Sequence, residues 1–167
     1  GSGFDKGVSV GPLINQQAVT KVESLIQQSV EQGAQLMLGG QCSKLGSNFF
    51  LPTIMTNVTN DMPIAQQEIF APVSAVIGFD CEDEVIALAN QTEYGLAAYF
   101  YSRDIGRVWR VSECLEFGMI GINEGIISNA AAPFGGIKQS GYGREGSKYG
   151  LDDYLNIKYL CLGGLSR

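Results

Sequence analysis

The side chains that are missing limit the chemistry of this 167-residue chain, which contains four cysteines and no histidine. Without histidine it cannot contain a Ser-His-Asp triad, a Cys-His pair or a histidine-containing zinc site. The cysteines stand 39, 33 and 47 residues apart, so they form no Cys-x-x-Cys clamp: Cys42, Cys81, Cys114 and Cys161. Such spacing is typical of reduced core thiols in an intracellular protein. We therefore expect no metal site and no histidine-based catalysis within the chain.

Residues 141–146 match the GxGxxG pattern of dinucleotide-binding loops letter for letter. In that motif the glycines follow a strand and open the helix of a βαβ unit of about 30 residues. Here a polar tripeptide, 138–140, precedes the glycines, and only 21 residues follow them. The context therefore favours a turn crowded against a neighbouring segment over a phosphate-binding loop.

A carboxylate and an aromatic ring, Glu68 and Phe70, stand two residues apart just before the apolar run 72–79. Loops at strand ends host ligands in α/β sheets. A carboxylate there can accept hydrogen bonds from the two hydroxyls of a ribose, and a phenyl face can pack against a flat heterocycle. On the residues alone, a solvated loop acid is the favoured interpretation of Glu68.

Residues 118–150 are rich in glycine, with 9 glycines among 33 residues. Such a segment predicts a loop in which the backbone passes close to something else. Its first part, 123–136, carries one hydroxyl among small residues, Ser128, and one ring, Phe134. These side chains suit a narrow pocket for a short polar substrate. A plain connecting loop is the alternative, and the residues alone do not decide between the two.

The apolar pattern predicts the elements that must position these loops. Helices are expected at 15–33, 80–90, 105–115 and 145–154, and extended segments at 34–38, 48–57, 72–79, 97–101, 119–122 and 157–162. Pro52 indicates an edge strand or the start of a strand. The side chains expected to face inward from the third helix are Ile105, Val108, Trp109 and Leu115. This alternation predicts an α/β fold with a parallel sheet covered on both faces.

The net charge limits the kinds of partner that the chain is expected to bind. The net charge of -6 disfavours binding to nucleic acid or to an anionic membrane surface. No apolar run approaches the roughly 18 residues that a membrane helix needs. Residues 1–3, Gly-Ser-Gly, resemble a cloning remnant.

Three longer motifs resemble the aldehyde dehydrogenase superfamily, in the right order and over nearly the whole chain. They are Glu68-Ile69-Phe70-x-Pro72, Tyr94-Gly95-Leu96-Ala97-Ala98 and Pro133-Phe134-Gly135-Gly136-x-Lys138-x-Ser140-Gly141. The tail from Gly141 to Tyr159 most closely resembles succinate-semialdehyde dehydrogenases. The resemblance implies that 4–154 is the parallel-sheet portion of an aldehyde dehydrogenase catalytic domain, and that 155–167 is a carboxyl-terminal oligomerisation strand and tail.

The resemblance also implies roles for five residues. Glu68 would bind the hydroxyls of the nicotinamide ribose, and Phe70 would support the nicotinamide ring of NAD or NADP. Ser128 would hydrogen-bond the distal carboxylate of succinate semialdehyde, and Phe134 would line the substrate tunnel. Glu145 would lie on a proton path behind the site.

The chain departs from the family in two respects. Ala71 stands where the family usually has glycine, and its methyl group could shift Phe70. None of the four cysteines matches the family's nucleophile, which lies upstream of the matched segment with the base and the dinucleotide-binding fold. We therefore expect a carboxyl-terminal fragment of an NAD(P)-dependent succinate-semialdehyde dehydrogenase that has no catalytic residue of its own, except Glu145 on the proton path, and is inactive in isolation.

Two alternatives remain open. One is a fragment of a dehydrogenase for another small aldehyde. The other is a non-catalytic oligomerisation module that uses the final strand, 157–162, because an unpaired apolar strand is a template for another chain. The resemblance implies a homo-oligomer, a dimer or a tetramer, in the cytoplasm or, in a eukaryote, in the mitochondrial matrix. It implies no nucleic-acid or membrane partner.

Overall fold

The computed structural model describes residues 1–164, so the end of the predicted tail, residues 165–167, lies outside the described part. The chain divides into two compact units, Gly1–Glu84 and a second one that begins at Val85. Among the described residues, no helix combines the length and the apolar character needed to cross a membrane.

The described residues form short helices and strands that alternate along the chain. The helices are α1 (Gln16–Glu31), α2 (Pro63–Gln66), α3 (Glu82–Asn90) and α4 (Ile105–Cys114), with a 3₁₀ helix at Tyr149–Tyr154. The strands are β1 (Gln35–Leu38), β2 (Thr53–Thr56), β3 (Val73–Ala75), β4 (Tyr94–Gly95), β5 (Ala97–Phe100), β6 (Met119–Ile122) and β7 (Ile137–Lys138).

Helix α1 organises the core of the first unit. The Asn15 side chain caps its start by accepting a hydrogen bond of 2.9 Å from the Ala18 amide, and Gly33, at φ 110°, follows its end. Its buried stripe comprises Val19, Val22, Leu25 and Ile26. These side chains belong to one apolar cluster with Met55 of β2 and Ile64 of α2. The helix predicted from the apolar spacing is therefore confirmed.

The sheets are mixed rather than all parallel. Strand β2 pairs with β3, and β5 with β6, in the parallel sense that alternating strands and helices predict. Strand β1, however, pairs antiparallel with β2, because residues 39–52 contain no helix that could carry the chain across the sheet. Pro52 directly precedes β2, the central strand, so it marks a strand start rather than an edge.

The faces of the sheets are also less covered by helices within this chain than the sequence predicted. All four residues of β1 are exposed, and α3 contributes no buried side chain. In α4 the inward side is the stripe of Val108, Val111 and Leu115, whereas Ile105 and Trp109 are 71% and 65% exposed. At 100° per residue, those two lie roughly a quarter turn or more around the helix from that stripe.

Two predicted elements near the end of the chain differ in the structure. The helix expected from 145 is shorter, because Gly146 and Ser147 adopt left-handed φ values of 65° and 50° that interrupt a helix. Only the 3₁₀ helix remains of it. Segment 157–162 pairs with no strand of the described residues, and its Ile157 and Tyr159 are 102% and 84% exposed. A strand needs a partner for its backbone groups, and the described residues provide none here.

The first unit should depend on the packing of Met55, which is 0% exposed. We expect Met55→Ala to lower the free energy of unfolding by about 2–5 kcal/mol, because it leaves a cavity in the core. Met37→Ala is the matched control, since Met37 is 63% exposed. It should change stability by less than about 0.5 kcal/mol in the same urea titration. Equal losses for both variants would contradict the assignment of the core.

Candidate functional site

The loop that carries Glu68 and Phe70 connects α2 to β3 in the first unit. Its alternate residues, Ile69 and Ala71, are half-buried and pack against the core. The Glu68 side chain is exposed, and the Phe70 ring is 87% exposed. The loop is thus anchored by its apolar residues and presents the carboxylate and the ring outward.

The backbone of this loop is held in an unusual conformation. Phe70 has φ 50°, a left-handed value that costs energy for a residue with a bulky side chain. From α1, the Lys21 ammonium donates a hydrogen bond of 2.6 Å to the Glu68 carbonyl oxygen. Ala71 is not among the left-handed residues, so glycine is not required there, and its methyl group packs against the core. The loop therefore accommodates the departure from the family pattern.

Phe134 and Glu145 are brought together in the second unit by their backbones. The Phe134 amide donates to the Glu145 carbonyl at 2.8 Å, and the Glu145 amide donates to the Phe134 carbonyl at 2.7 Å. Further along, the Ser147 amide donates to the Ala130 carbonyl at 2.9 Å. The two sides of the glycine-rich segment thus form one hydrogen-bonded structure.

The GxGxxG glycines are turn residues, as predicted. Gly141, Gly143 and Gly146 have φ values of 101°, 77° and 65°. A methyl group on Gly143 would collide with the Asp153 carboxylate, and one on Gly146 would lie 2.9 Å from the Ala132 carbonyl oxygen. All three glycines are favoured by their conformation, and Gly143 and Gly146 also by crowding from the chain itself.

A cleft of about 470 Å³ lies along this segment, lined among others by Phe134, Arg144, Glu145 and Asp153. Arg144 is half-buried and donates to the carbonyl oxygens of Gly136 and Gly143, at 2.8 and 2.6 Å. Ser128 is exposed and does not line the cleft. The structure therefore brings together two of the residues predicted for the second unit and leaves Ser128 on the adjoining loop.

Lys138 lies in the glycine-rich segment, and its contacts were not predicted from the sequence. Its ammonium contacts the Glu116 carboxylate at 2.6 Å and donates to the carbonyl oxygens of Asn90 and Thr92 at 3.1 and 3.3 Å. The Asn90 side chain in turn donates to the Cys114 carbonyl and accepts from the Glu116 amide, both at 2.8 Å. One feature of the sequence could have indicated these contacts: Lys138 is the only charged residue between 125 and 143.

A model of the aldehyde dehydrogenase family matches residues 1–160. The chain belongs to the aldehyde dehydrogenase family. The predicted family and its α/β fold are thereby confirmed, and members of the family are oxidoreductases that act on aldehydes and use NAD or NADP.

Two curated aldehyde dehydrogenases are similar over the whole chain. A 3-sulfolactaldehyde dehydrogenase of Pseudomonas putida is 58% identical over 167 residues, which is 100% of this chain and 34% of that protein. The mitochondrial succinate-semialdehyde dehydrogenase of Homo sapiens is 55% identical over 165 residues, or 99% of this chain and 31% of that protein. The chain thus spans about one third of the length of these relatives.

Solved aldehyde dehydrogenases show the same fold. The crystal structure of succinate-semialdehyde dehydrogenase from Burkholderia pseudomallei matches with a TM-score of 0.93 and 59% identity, and the match covers 96% of this chain and 33% of that one. A betaine aldehyde dehydrogenase from Staphylococcus aureus in complex with NAD⁺ matches with a TM-score of 0.86 and 41% identity, covering 90% of this chain and 31% of that one.

The cysteines of this aldehyde dehydrogenase chain are free thiols, but they are not core residues as expected. Cys81, Cys114 and Cys161 are exposed, and Cys42 is half-buried. The Cys42 thiol lies 3.6 Å from the Glu23 carboxylate. Desolvation and that carboxylate raise the pKa of Cys42 above its ordinary value, which disfavours the nucleophilic thiolate. Within residues 1–164 no group of three or more Cys, Asp or Glu side chains is arranged to hold a metal ion.

The Lys138 network should stabilise the second unit of this aldehyde dehydrogenase chain. We expect Lys138→Met to lower the free energy of unfolding by about 1–3 kcal/mol, because it leaves the partly buried carbonyl oxygen of Asn90 without its donor and removes the contact with Glu116. Lys158→Met is the control, since Lys158 is exposed in a segment without strand pairing. Chemical denaturation followed by circular dichroism measures both variants, and equal stability of the two would contradict this role.

Proposed function

We propose that this chain is part of an NAD(P)-dependent dehydrogenase that oxidises a short aldehyde with a distal anionic group, with succinate semialdehyde as the preferred substrate. The observation that carries the proposal is the hydrogen-bonded glycine-rich structure, in which the Ser128 loop and the Phe134–Glu145 pair are continuous. The names of two relatives add support. Succinate semialdehyde ends in a carboxylate and 3-sulfolactaldehyde in a sulfonate, so both are short aldehydes with a distal anion.

Ser128 is the residue that we assign to the distal anion. Its hydroxyl is exposed on a loop with no carboxylate between 125 and 143, so an anion approaching it meets no repulsion from that segment. A hydroxyl donor to a carboxylate is a charge-assisted hydrogen bond, which is stronger than a neutral one. Phe134, half-buried beside the cleft, would limit the width available to the aldehyde.

Glu68 and Phe70 are the residues that would hold the nicotinamide nucleoside. The exposed carboxylate suits a ribose diol, and the exposed ring on a constrained backbone suits contact with a flat heterocycle. The nicotinamide group accepts the hydride when the aldehyde is oxidised. The nicotinamide ribose carries no 2′-phosphate in either cofactor, so Glu68 is compatible with both NAD and NADP.

The nucleophile is proposed to come from a part of the protein outside this chain. None of the four cysteines matches the position of the family's nucleophile, and the raised pKa of Cys42 argues against that thiol. Glu145, which is exposed and paired through its backbone with Phe134, is proposed to lie on the proton path.

The free thiols suit a reducing compartment, for which we propose the cytoplasm, with the mitochondrial matrix as the alternative.

Ser128→Ala in the complete enzyme tests the substrate. We expect kcat/KM for succinate semialdehyde to fall about 10- to 100-fold, because a hydrogen bond to a charged group is lost. Butanal has the same number of carbons and no charge, so its kcat/KM should change less than about threefold. Steady-state production of NAD(P)H measures both.

Ser9→Ala, which changes an exposed serine near the amino end, is the matched control and should affect neither substrate. The 167-residue chain alone should give no NAD(P)H above the blank. Equal losses for succinate semialdehyde and butanal would rule out a role for Ser128 in recognising the distal anion.

The exposed segment 157–162 supports a second candidate function, that of an oligomerisation module. Its apolar side chains, including Ile157 and Leu160, are 102% and 82% exposed. We propose that it pairs with a second copy of the protein in a dimer or tetramer. The chain alone should then form a defined dimer in multi-angle light scattering, and Ile157→Lys should return it to a monomer. A monomeric unaltered chain would contradict this candidate.

A further inference from the structure

Asn123 extends the pairing of β5 with β6 beyond the ends of the two strands. It directly follows β6 and has a left-handed φ of 56°. Its side-chain oxygen accepts from the Ser102 amide, and its side-chain nitrogen donates to the Ser102 carbonyl, both at 2.8 Å. Its own amide donates to the Phe100 carbonyl at 3.0 Å. The side chain thus makes the two hydrogen bonds that the backbone of a strand residue would make.

Ser102, to which the Asn123 side chain is hydrogen-bonded, is itself held by a further hydrogen bond. The Ser102 hydroxyl accepts a hydrogen bond of 3.2 Å from the Asp104 amide. The Asp104 carboxylate caps α4 by accepting from the Arg107 amide at 2.8 Å, and this bond holds the pKa of Asp104 below its ordinary value. Asn123 therefore joins the chain that leaves β6 to the corner between β5 and α4.

The chain between Asn123 and Ser128 is also ordered by local hydrogen bonds. The Glu124 carboxylate accepts from the amides of Gly125 and Ile126, at 2.9 and 3.0 Å. Beyond Ser128, the Asn129 side chain accepts from the Ala131 amide at 2.9 Å. Ser128 is consequently carried on a loop that is held before it by Asn123 and beyond it by the Ser147 amide, which donates to the Ala130 carbonyl at 2.9 Å.

We propose that Asn123 is a positioning residue that sets the specificity for a distal anion by fixing the loop that carries Ser128. This inference rests on the proposed function. An asparagine side chain is needed because the contact requires one donor and one acceptor on the same group. Aspartate would keep the acceptor but place its second oxygen against the Ser102 carbonyl. Glycine would keep the left-handed backbone and lose both bonds.

Asn123→Asp and Asn123→Gly in the complete enzyme test the inference by a split between KM and kcat. We expect KM for succinate semialdehyde to rise about tenfold, kcat to stay within about twofold, and both constants for butanal to stay within about twofold. In an enzyme that already carries Ser128→Ala, the Asn123 substitutions should have no further effect on succinate semialdehyde, because the residue they position is gone.

Asn57 provides the matched control. It directly follows β2, has φ 53° and is exposed, so Asn57→Gly and Asn57→Asp change the same residue type in the same conformation. These variants should leave the constants for both substrates unchanged. Losses of similar size for succinate semialdehyde and butanal in the Asn123 variants, or additive losses with Ser128→Ala, would overturn the inference.

Amide hydrogen exchange on the 167-residue chain separates this inference from the proposed function. Exchange in residues 124–129 should rise about tenfold or more in both Asn123 variants and stay unchanged in Ser128→Ala. If Ser128→Ala lowers kcat/KM for succinate semialdehyde and for butanal equally, the proposed function is wrong. Unchanged exchange in the Asn123 variants would overturn the positioning role whatever the substrate is.

Discussion

The second unit depends on the ammonium of Lys138. This group binds the last residue of α3, the turn after it and the Glu116 carboxylate. Strand β7, which contains Lys138, is only two residues long, and within residues 1–164 its one partner strand is β4. A ladder that short provides little cooperative stability, so the lysine side chain supplies the long-range contacts that fix where the glycine-rich segment lies.

The crowding around β7 shows why the neighbouring residues are small. Gly95 is buried, and its amide donates to the Ser140 hydroxyl at 3.0 Å. A methyl group on Gly136 would lie 2.6 Å from the Ser140 Cβ. The buried positions in the described part of the second unit are Gly95, Val111, Gly121 and Gly136. Three of these four are glycines, so this unit is held by close backbone contacts and hydrogen bonds more than by apolar packing.

The sequence predicted those features that depend on local pattern. Helix α1 follows from its apolar spacing and its Asn15 cap, and the parallel pairing of β5 with β6 from the helix between them. It did not predict contacts between residues far apart in the chain, such as Lys138 with Asn90, because no periodicity records them. Segment 157–162 shows a third limit, since an apolar alternation predicts a strand but does not name the strand with which it pairs.

Most of the left-handed residues other than glycine lie in the Phe70 loop or in the glycine-rich segment, and Asn57 is the exception among the described residues. Phe70, Asn123, Lys138 and Ser147 share this conformation. Each costs conformational energy that the surrounding structure must offset, and such residues concentrate where a loop has to hold one geometry. The contacts that offset this cost differ. Beside Phe70, the residues Ile69 and Ala71 pack on the core, whereas the side chains of Asn123 and Lys138 donate hydrogen bonds to backbone carbonyl oxygens.

This difference bears on the role proposed for Ser128, whose loop carries no charged residue between 125 and 137. A neutral hydroxyl discriminates poorly if its loop can move away, because the cost of ordering the loop cancels the single hydrogen bond that it gains. Fixing the loop in advance through Asn123, and through the Ser147 amide on the Ala130 carbonyl, would remove that cost before the substrate arrives. In a unit with so few buried apolar side chains, hydrogen bonds to the backbone are the means by which this loop can be rigid and still present small, uncharged residues to the proposed substrate.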